Sequence, residues 1–235
     1  MLTRDKILEA IRNSSNNAQK QKREYSLFGR ILIFIKDYTS PDISIDNIID
    51  VIEKRIPEHM MEEVDEILVG FFEENQSRDL EAHFKDGAIY VSNVLESDFD
   101  FIENIVHESA HALETKYDLN IYGDKQIENE FIGKRRRLSS IIKSEGYDIS
   151  KYDFEDPEYS ESFDNFLYKD VGYDKMQNIV MGLLASPYAA TSLREYFANG
   201  FEEYFLGDRN YLRDISPQLY NKILEIQDDT DTLYY

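Results

Sequence analysis

Residues 101–114 read FIENIVHESAHALE, with apolar side chains at Phe101, Ile102, Ile105, Val106, Ala110 and Leu113. On a helix that spacing spreads apolar surface around most of the girth, so this segment belongs inside a core. Upstream, Ser97-Asp98-Phe99-Asp100 supplies a helix start, with a side-chain acceptor at Ser97 and acids in the first turn. A buried helix obliges the rest of the chain to pack around it. The 235 residues are enough for one sizeable core, or for one domain with two lobes.

The same stretch holds two of the chain's four histidines, with Glu108 directly after the first. His107 and His111 are four residues apart, so they stand one above the other on one helix face. Imidazoles so placed can bind a single zinc ion, each at about 2.0–2.1 Å. Glu108 is turned by about 100° and leans beside the metal position, where it can take a proton from an attacking water and pass it to a leaving amine. The HExxH spacing is what this arrangement requires. The plain alternative is a buried polar network or a solvated helix edge.

Two imidazoles do not hold a catalytic zinc; a third protein ligand and an open position are needed. The chain has no cysteine, which leaves His, Asp or Glu for the third ligand. His59 follows Pro57 in a predicted loop, and His83 falls on a predicted strand. A carboxylate in SPYAATSLREYFANGFEEYF, residues 186–205, is the better candidate. The apolar face of that helix runs through Leu193, Phe197, Phe201 and Phe205, with Glu195, Ala198 and Glu202 along its margin. Ser192 followed by Glu195 also reads as a capping box, in which the glutamate merely ties off the helix start. On spacing alone Glu195 competes with Glu202 and Glu203.

Elsewhere, residues 1–38 read as helical through Ile7, Ile11, Leu27, Ile31, Phe34 and Ile35, and 42–54 as a helix through Ile45, Ile48, Ile49 and Ile52. VDEILVGFF, 64–72, has the content of a strand, and LEAHFKDGAIYVSN, 80–93, reads as strand, Asp86-Gly87 turn, strand. Residues 116–170 suggest helices joined by loops, and the acidic tail after Gln227 reads as loose. Lys134-Arg135-Arg136-Arg137 reads as a solvated helix face.

A formal charge of −21 argues against a nucleic-acid or anionic-membrane partner. The first residues lack an apolar core of signal-peptide length, and the longest apolar run, Ile31–Ile35, is too short to span a bilayer. The expectation is a chain that is cytoplasmic as written; export or virion association by another route stays open.

The HExxH helix, then Tyr188 seven residues ahead of Glu195 in the segment Glu195-Tyr196-Phe197-Ala198-Asn199-Gly200-Phe201, resembles the anthrax lethal factor-like zinc metallopeptidases. This gluzincin-type group includes the bacterial Pro-Pro endopeptidases. GAIYVSN, 87–93, also resembles the strand preceding the active-site helix there, and the resemblance spans roughly residues 60–210. It implies that His107, His111 and Glu195 bind Zn2+, that Glu108 is the general base, and that the Tyr188 hydroxyl hydrogen-bonds the oxyanion. The implied fold is α+β and zincin-like. A small twisted sheet and the active-site helix would form an upper lobe, a mostly helical lower lobe would supply Tyr188 and Glu195, and zinc would lie in the cleft between. Residues 1–55 would be an N-terminal helical segment of unknown role, 56–227 the metallopeptidase domain, and 228–235 an acidic tail. The expected activity is endopeptidase hydrolysis of a peptide or protein that adds in extended form along the strand Ala88–Asn93. Rival expectations are a zincin fold used as a structural or binding module in a larger assembly such as a virus particle, an accidental HExxH, and iron or manganese in place of zinc.

Overall fold

A computed structural model describes residues 25–78 and 80–228. The expected helical residues Ile7 and Ile11, and the expected tail beyond Asp228, lie outside the described residues. The fold is mixed α+β, 58% helical, with one small sheet. It divides into two compact units: residues 25–53 with 64–104, and residues 54–63 with 105–228.

The first unit is built on five strands, with β1 (Tyr25–Leu27) and β2 (Ile31–Ile35) forming a hairpin. Helix α1 (Ile45–Arg55) and a 3-10 turn (Glu58–Met61) lead to β3 (Glu66–Gly70). Helix α2 (Glu73–Arg78) precedes β4 (Ala82–Lys85) and β5 (Ala88–Ser92). The strand order is β1-β2-β3-β5-β4, with β2, β3 and β5 parallel and the two edge strands antiparallel to their neighbours. Ile33, Ile67 and Ile89 lie side by side in register and are all buried, while Phe34, Leu68 and Tyr90 form the adjoining row on the other face.

Two expectations are corrected here. Leu27, Ile31, Phe34 and Ile35 are strand residues, not helical ones. The run Ile31–Ile35 is too short for its period to be read, and the hairpin loop hides its turn signal by putting Phe28 at φ 54° beside Gly29 at φ 68°. Because β1 and β2 belong to the same sheet as β3–β5, the chain has no separate segment ending at residue 55. The Asp86-Gly87 turn does occur where expected, with φ 51° and 82°, and joins β4 to β5. But β5 is not an edge strand. β3 and β4 occupy both of its sides, so its backbone has no free row of donors and acceptors along which a peptide could add.

Helix α3 (Asp98–Tyr122) starts on a reciprocal cap: Asp100 N donates to Ser97 Oγ at 3.1 Å, and Ser97 N donates to Asp100 Oδ2 at 2.9 Å. From Ile105 onward it belongs to the second, helical unit. There follow α4 (Gln126–Ser144), α5 (Glu161–Asn165), a π-helical stretch (Phe166–Gly172) and α6 (Tyr173–Val180). A 3-10 turn (Tyr188–Ala190) leads to α7 (Leu193–Phe205), α8 (Arg209–Ile215) and α9 (Pro217–Asp228).

Helices α4, α7 and α9 enclose the core of this unit, with Phe131, Tyr196, Phe197, Phe201, Leu219 and Ile223 at most 1% exposed. Helices α7 and α9 approach closely at Gly200, where a Cβ would fall 2.2 Å from Leu219 Cδ2. Glu130 on α4 takes the Tyr196 hydroxyl at 2.8 Å and caps α9 by accepting from Gln218 N and Leu219 N at 2.9 and 3.1 Å.

The basic run on α4 is not a solvated face. Lys134 and Arg135 are buried. Lys134 Nζ donates to the carbonyls of Leu183 and Ile215. Arg135 donates to the carbonyls of Asp153 and Asp156, and its guanidinium sits 4.2 Å from the Phe163 ring centre. Only the outward Arg136 follows the expectation, pairing with Glu155 through two hydrogen bonds. The cluster thereby fastens the 146–160 loop and the start of α5 to α4.

Candidate metal centre

Helix α3 presents His107 and His111 as neighbours, with ring centres 4.9 Å apart. Helix α7 brings Glu195 to them: Oε2 lies 3.1 Å from His107 Nε2, and Oε1 lies 3.6 Å from His111 Nε2. One ligand atom from each of the three residues falls within a 4.8 Å span, which makes this a group able to hold a metal ion. All three residues, with Glu108 and Tyr188, belong to the helical unit. The expectation that HExxH would group with the sheet and Glu195 with a separate lobe is therefore corrected: the division falls at Asn104, one turn before His107.

The capping box resolves into both of its readings. Glu195 N donates to Ser192 Oγ at 3.1 Å, so the backbone is capped, while the side chain faces the histidines instead of reaching back. Of the other candidates, Glu202 accepts from His107 Nδ1, on the far side of the ring. Glu203 accepts from Asp208 N at 2.8 Å. His59 Nε2 lies 3.3 Å from the Ile226 carbonyl, and His83 is buried in the sheet unit, bonded to Asn75 and stacked on Tyr90.

Both imidazoles are oriented from behind. Carboxylates only accept, so His107 Nδ1–H donates to Glu202 and His111 Nδ1–H donates to Glu114 Oε2 at 2.8 Å. Glu114 is buried, and it also takes the Tyr122 hydroxyl and the Arg194 guanidinium, the latter at 3.0 Å. This leaves two Nε2 lone pairs aimed at a carboxylate, and Glu195 Oε2 is buried without a hydrogen-bond partner. Such a set is repulsive unless a cation fills it, and a divalent metal fits that need.

Without a metal, protons take that role. Burial alone would pull the His107 pKa down. The hydrogen bonds and charges of Glu195 and Glu202 outweigh it and hold the group well above the ordinary value. For His111 burial also lowers, and Glu114 and Glu195 overcome it, raising the pKa to about 9. Burial would push Glu195 up, but the two histidines hold it down at about 2.

Comparison with family models, with curated proteins and with solved structures finds no match for this chain.

Glu108 is buried on α3 next to the first ligand. Tyr188 is 37% exposed, with its ring centre 6.4 Å from that of His107. Burial, then the charges of Glu195 and Glu108 among others, push its hydroxyl well above the ordinary pKa, so it stays a donor at neutral pH. Its turn is tied to α7. Ala189 N donates to Ser186 Oγ at 3.1 Å, Ser186 Oγ donates to Asn199, and Asn199 Nδ2 donates to the Glu195 carbonyl at 2.8 Å.

The supporting residues Glu114, Tyr122 and Arg194 were not anticipated. Glu114 had a readable signal, since it lies three residues after His111 on the same helix face. The signal for Arg194 was absent, because its partner lies 80 residues away.

Proposed function

We propose that this chain is a zinc-dependent endopeptidase with a zincin-like active site, in which His107, His111 and Glu195 hold the ion. The observation that best supports this reading is the buried, partnerless Oε2 of Glu195 facing two Nε2 atoms whose rings are fixed from behind. When bound, the ion supplies a Lewis acid for a peptide carbonyl and lowers the pKa of water. Glu108, one position along α3 from the first ligand, accepts the proton of the attacking water and delivers it to the leaving amine. Tyr188 donates its hydroxyl proton into a hydrogen bond with the oxyanion as charge develops there. Glu202 and Glu114 hold the imidazoles, and Ser186 and Asn199 hold the tyrosine's turn, so little reorganisation is needed at the moment of reaction. The resemblance to lethal factor-like metallopeptidases supports the same assignment of roles.

The test is a peptide-library digest by zinc-loaded wild type and Glu108→Gln, with zinc content measured on both. The expected outcome is one zinc per chain in each and a turnover loss of about 10²–10⁴-fold in the variant. Equal cleavage by the two would falsify the mechanism; a full zinc load with no cleavage by either favours a binding or structural module.

A further inference from the structure

Beside Tyr188 the helical unit has a small pocket that the mechanism above does not use. Its empty volume is about 300 Å³, at the lower end of the roughly 300–1,000 Å³ of small-molecule sites, and it is open to solvent. That size suits one long side chain. Three tyrosines line it, Tyr168, Tyr173 and Tyr188, and all three are exposed, with Leu167 and Met176 beneath them. Tyr168 and Tyr173 stand edge to face with ring centres 6.3 Å apart. Asp164 completes the lining, and its Oδ2 accepts the Tyr159 hydroxyl at 3.0 Å, which fixes the carboxylate.

The backbone is shaped for this pocket. Tyr168 sits on the π-helical stretch, a conformation uncommon except where a site demands it. Gly172, at φ 92°, ends that stretch and turns the chain into α6, which carries Tyr173 and Met176. Arg135 holds Phe163, the residue before Asp164, from below. One wall of the pocket is also the candidate oxyanion donor, so a side chain lodged here belongs to a residue next to the bond being cut.

Aromatic walls, an apolar floor and a fixed carboxylate are the features that select a cationic side chain: the rings and floor cover the methylene stem, and the carboxylate meets the charge. The chain's charge of −21 reinforces that choice. We infer that this pocket selects substrates carrying lysine or arginine beside the scissile bond, with Asp164 as the specificity-determining residue. The inference rests on the endopeptidase reading.

The test uses the zinc-loaded full chain and matched peptides that differ at each flanking position by Lys, Arg, Gln, Leu or Glu. The expected kcat/KM is about tenfold higher for Lys or Arg than for Gln at one flanking position. Asp164→Asn should bring that ratio close to one while cleaving the Gln peptide as wild type does, and Asp164→Lys should favour the Glu peptide. Cleavage without a basic preference, or a preference unchanged in Asp164→Asn, overturns the pocket assignment and leaves the endopeptidase reading intact. Equilibrium binding of the same peptides to Glu108→Gln separates the two ideas. Selective binding of Lys or Arg peptides that disappears in the Glu108→Gln/Asp164→Asn double variant supports the pocket even if nothing is cut. No binding of any peptide, together with no cleavage, overturns both.

Discussion

Glu202 and Glu114 touch no metal position, yet each fixes the ring that does. Replacing either by Gln keeps the shape and removes a charge from behind an imidazole. Zinc affinity should fall by about 10–100-fold, as a competition titration with a chromophoric chelator would measure. Tyr188→Phe should leave zinc content unchanged and lower kcat by about 10²–10³-fold with little change in KM, because the hydroxyl acts on charge that develops only in the transition state. The metal-free protein should depend on pH in a definite direction. The His111 pKa rises from 6.5 unfolded to about 9 folded, so its contribution to stability is complete below about 6.5 and is lost as the pH climbs through 9. Glu195 works at the other end: its value falls from 4.5 to about 2, so its contribution holds above 4.5 and is lost as the pH drops through 2. Thermal melts of chelator-treated protein from pH 6 to 10 should show the midpoint falling, and zinc-loaded samples should show a smaller fall because the ion replaces the protons.

Among the elements, α3 was the most legible in the sequence and β1–β2 the least. The apolar positions of α3 recur around one helix, so its burial follows from spacing, and Phe101, Ile102, Ile105, Val106, Ala110 and Leu113 are all buried. Ile31–Ile35 offers five apolar residues with no polar marker, and only its neighbours in the sheet decide its conformation. The basic run on α4 misled because charge type suggested solvent, while the carbonyls and rings that receive Lys134 and Arg135 come from distant stretches of chain. At the site, HExxH was readable because a local period defines it, but the way Glu195 turns toward the histidines depends on where α7 lies. Helix contacts carry their own prediction. Gly200→Ala would drive a methyl group into Leu219, which is completely buried. That overpacking should cost about 1–3 kcal/mol, and a denaturant titration would measure it as a lower midpoint.

For the molecule as a whole, charge and hydropathy set limits without naming a role. Among the described residues no helix is long and apolar enough to cross a membrane. The division of the chain says more. Every group proposed to hold the ion, or to act beside it, comes from residues 105–228, and the five strands contribute none. A ligand that binds only the folded form raises the melting temperature of the part that encloses it. Calorimetry with increasing zinc should therefore move the component that loses helical ellipticity, and the component that loses strand signal should stay where it is. The ion would then report on one half of the protein's folding and be silent about the other.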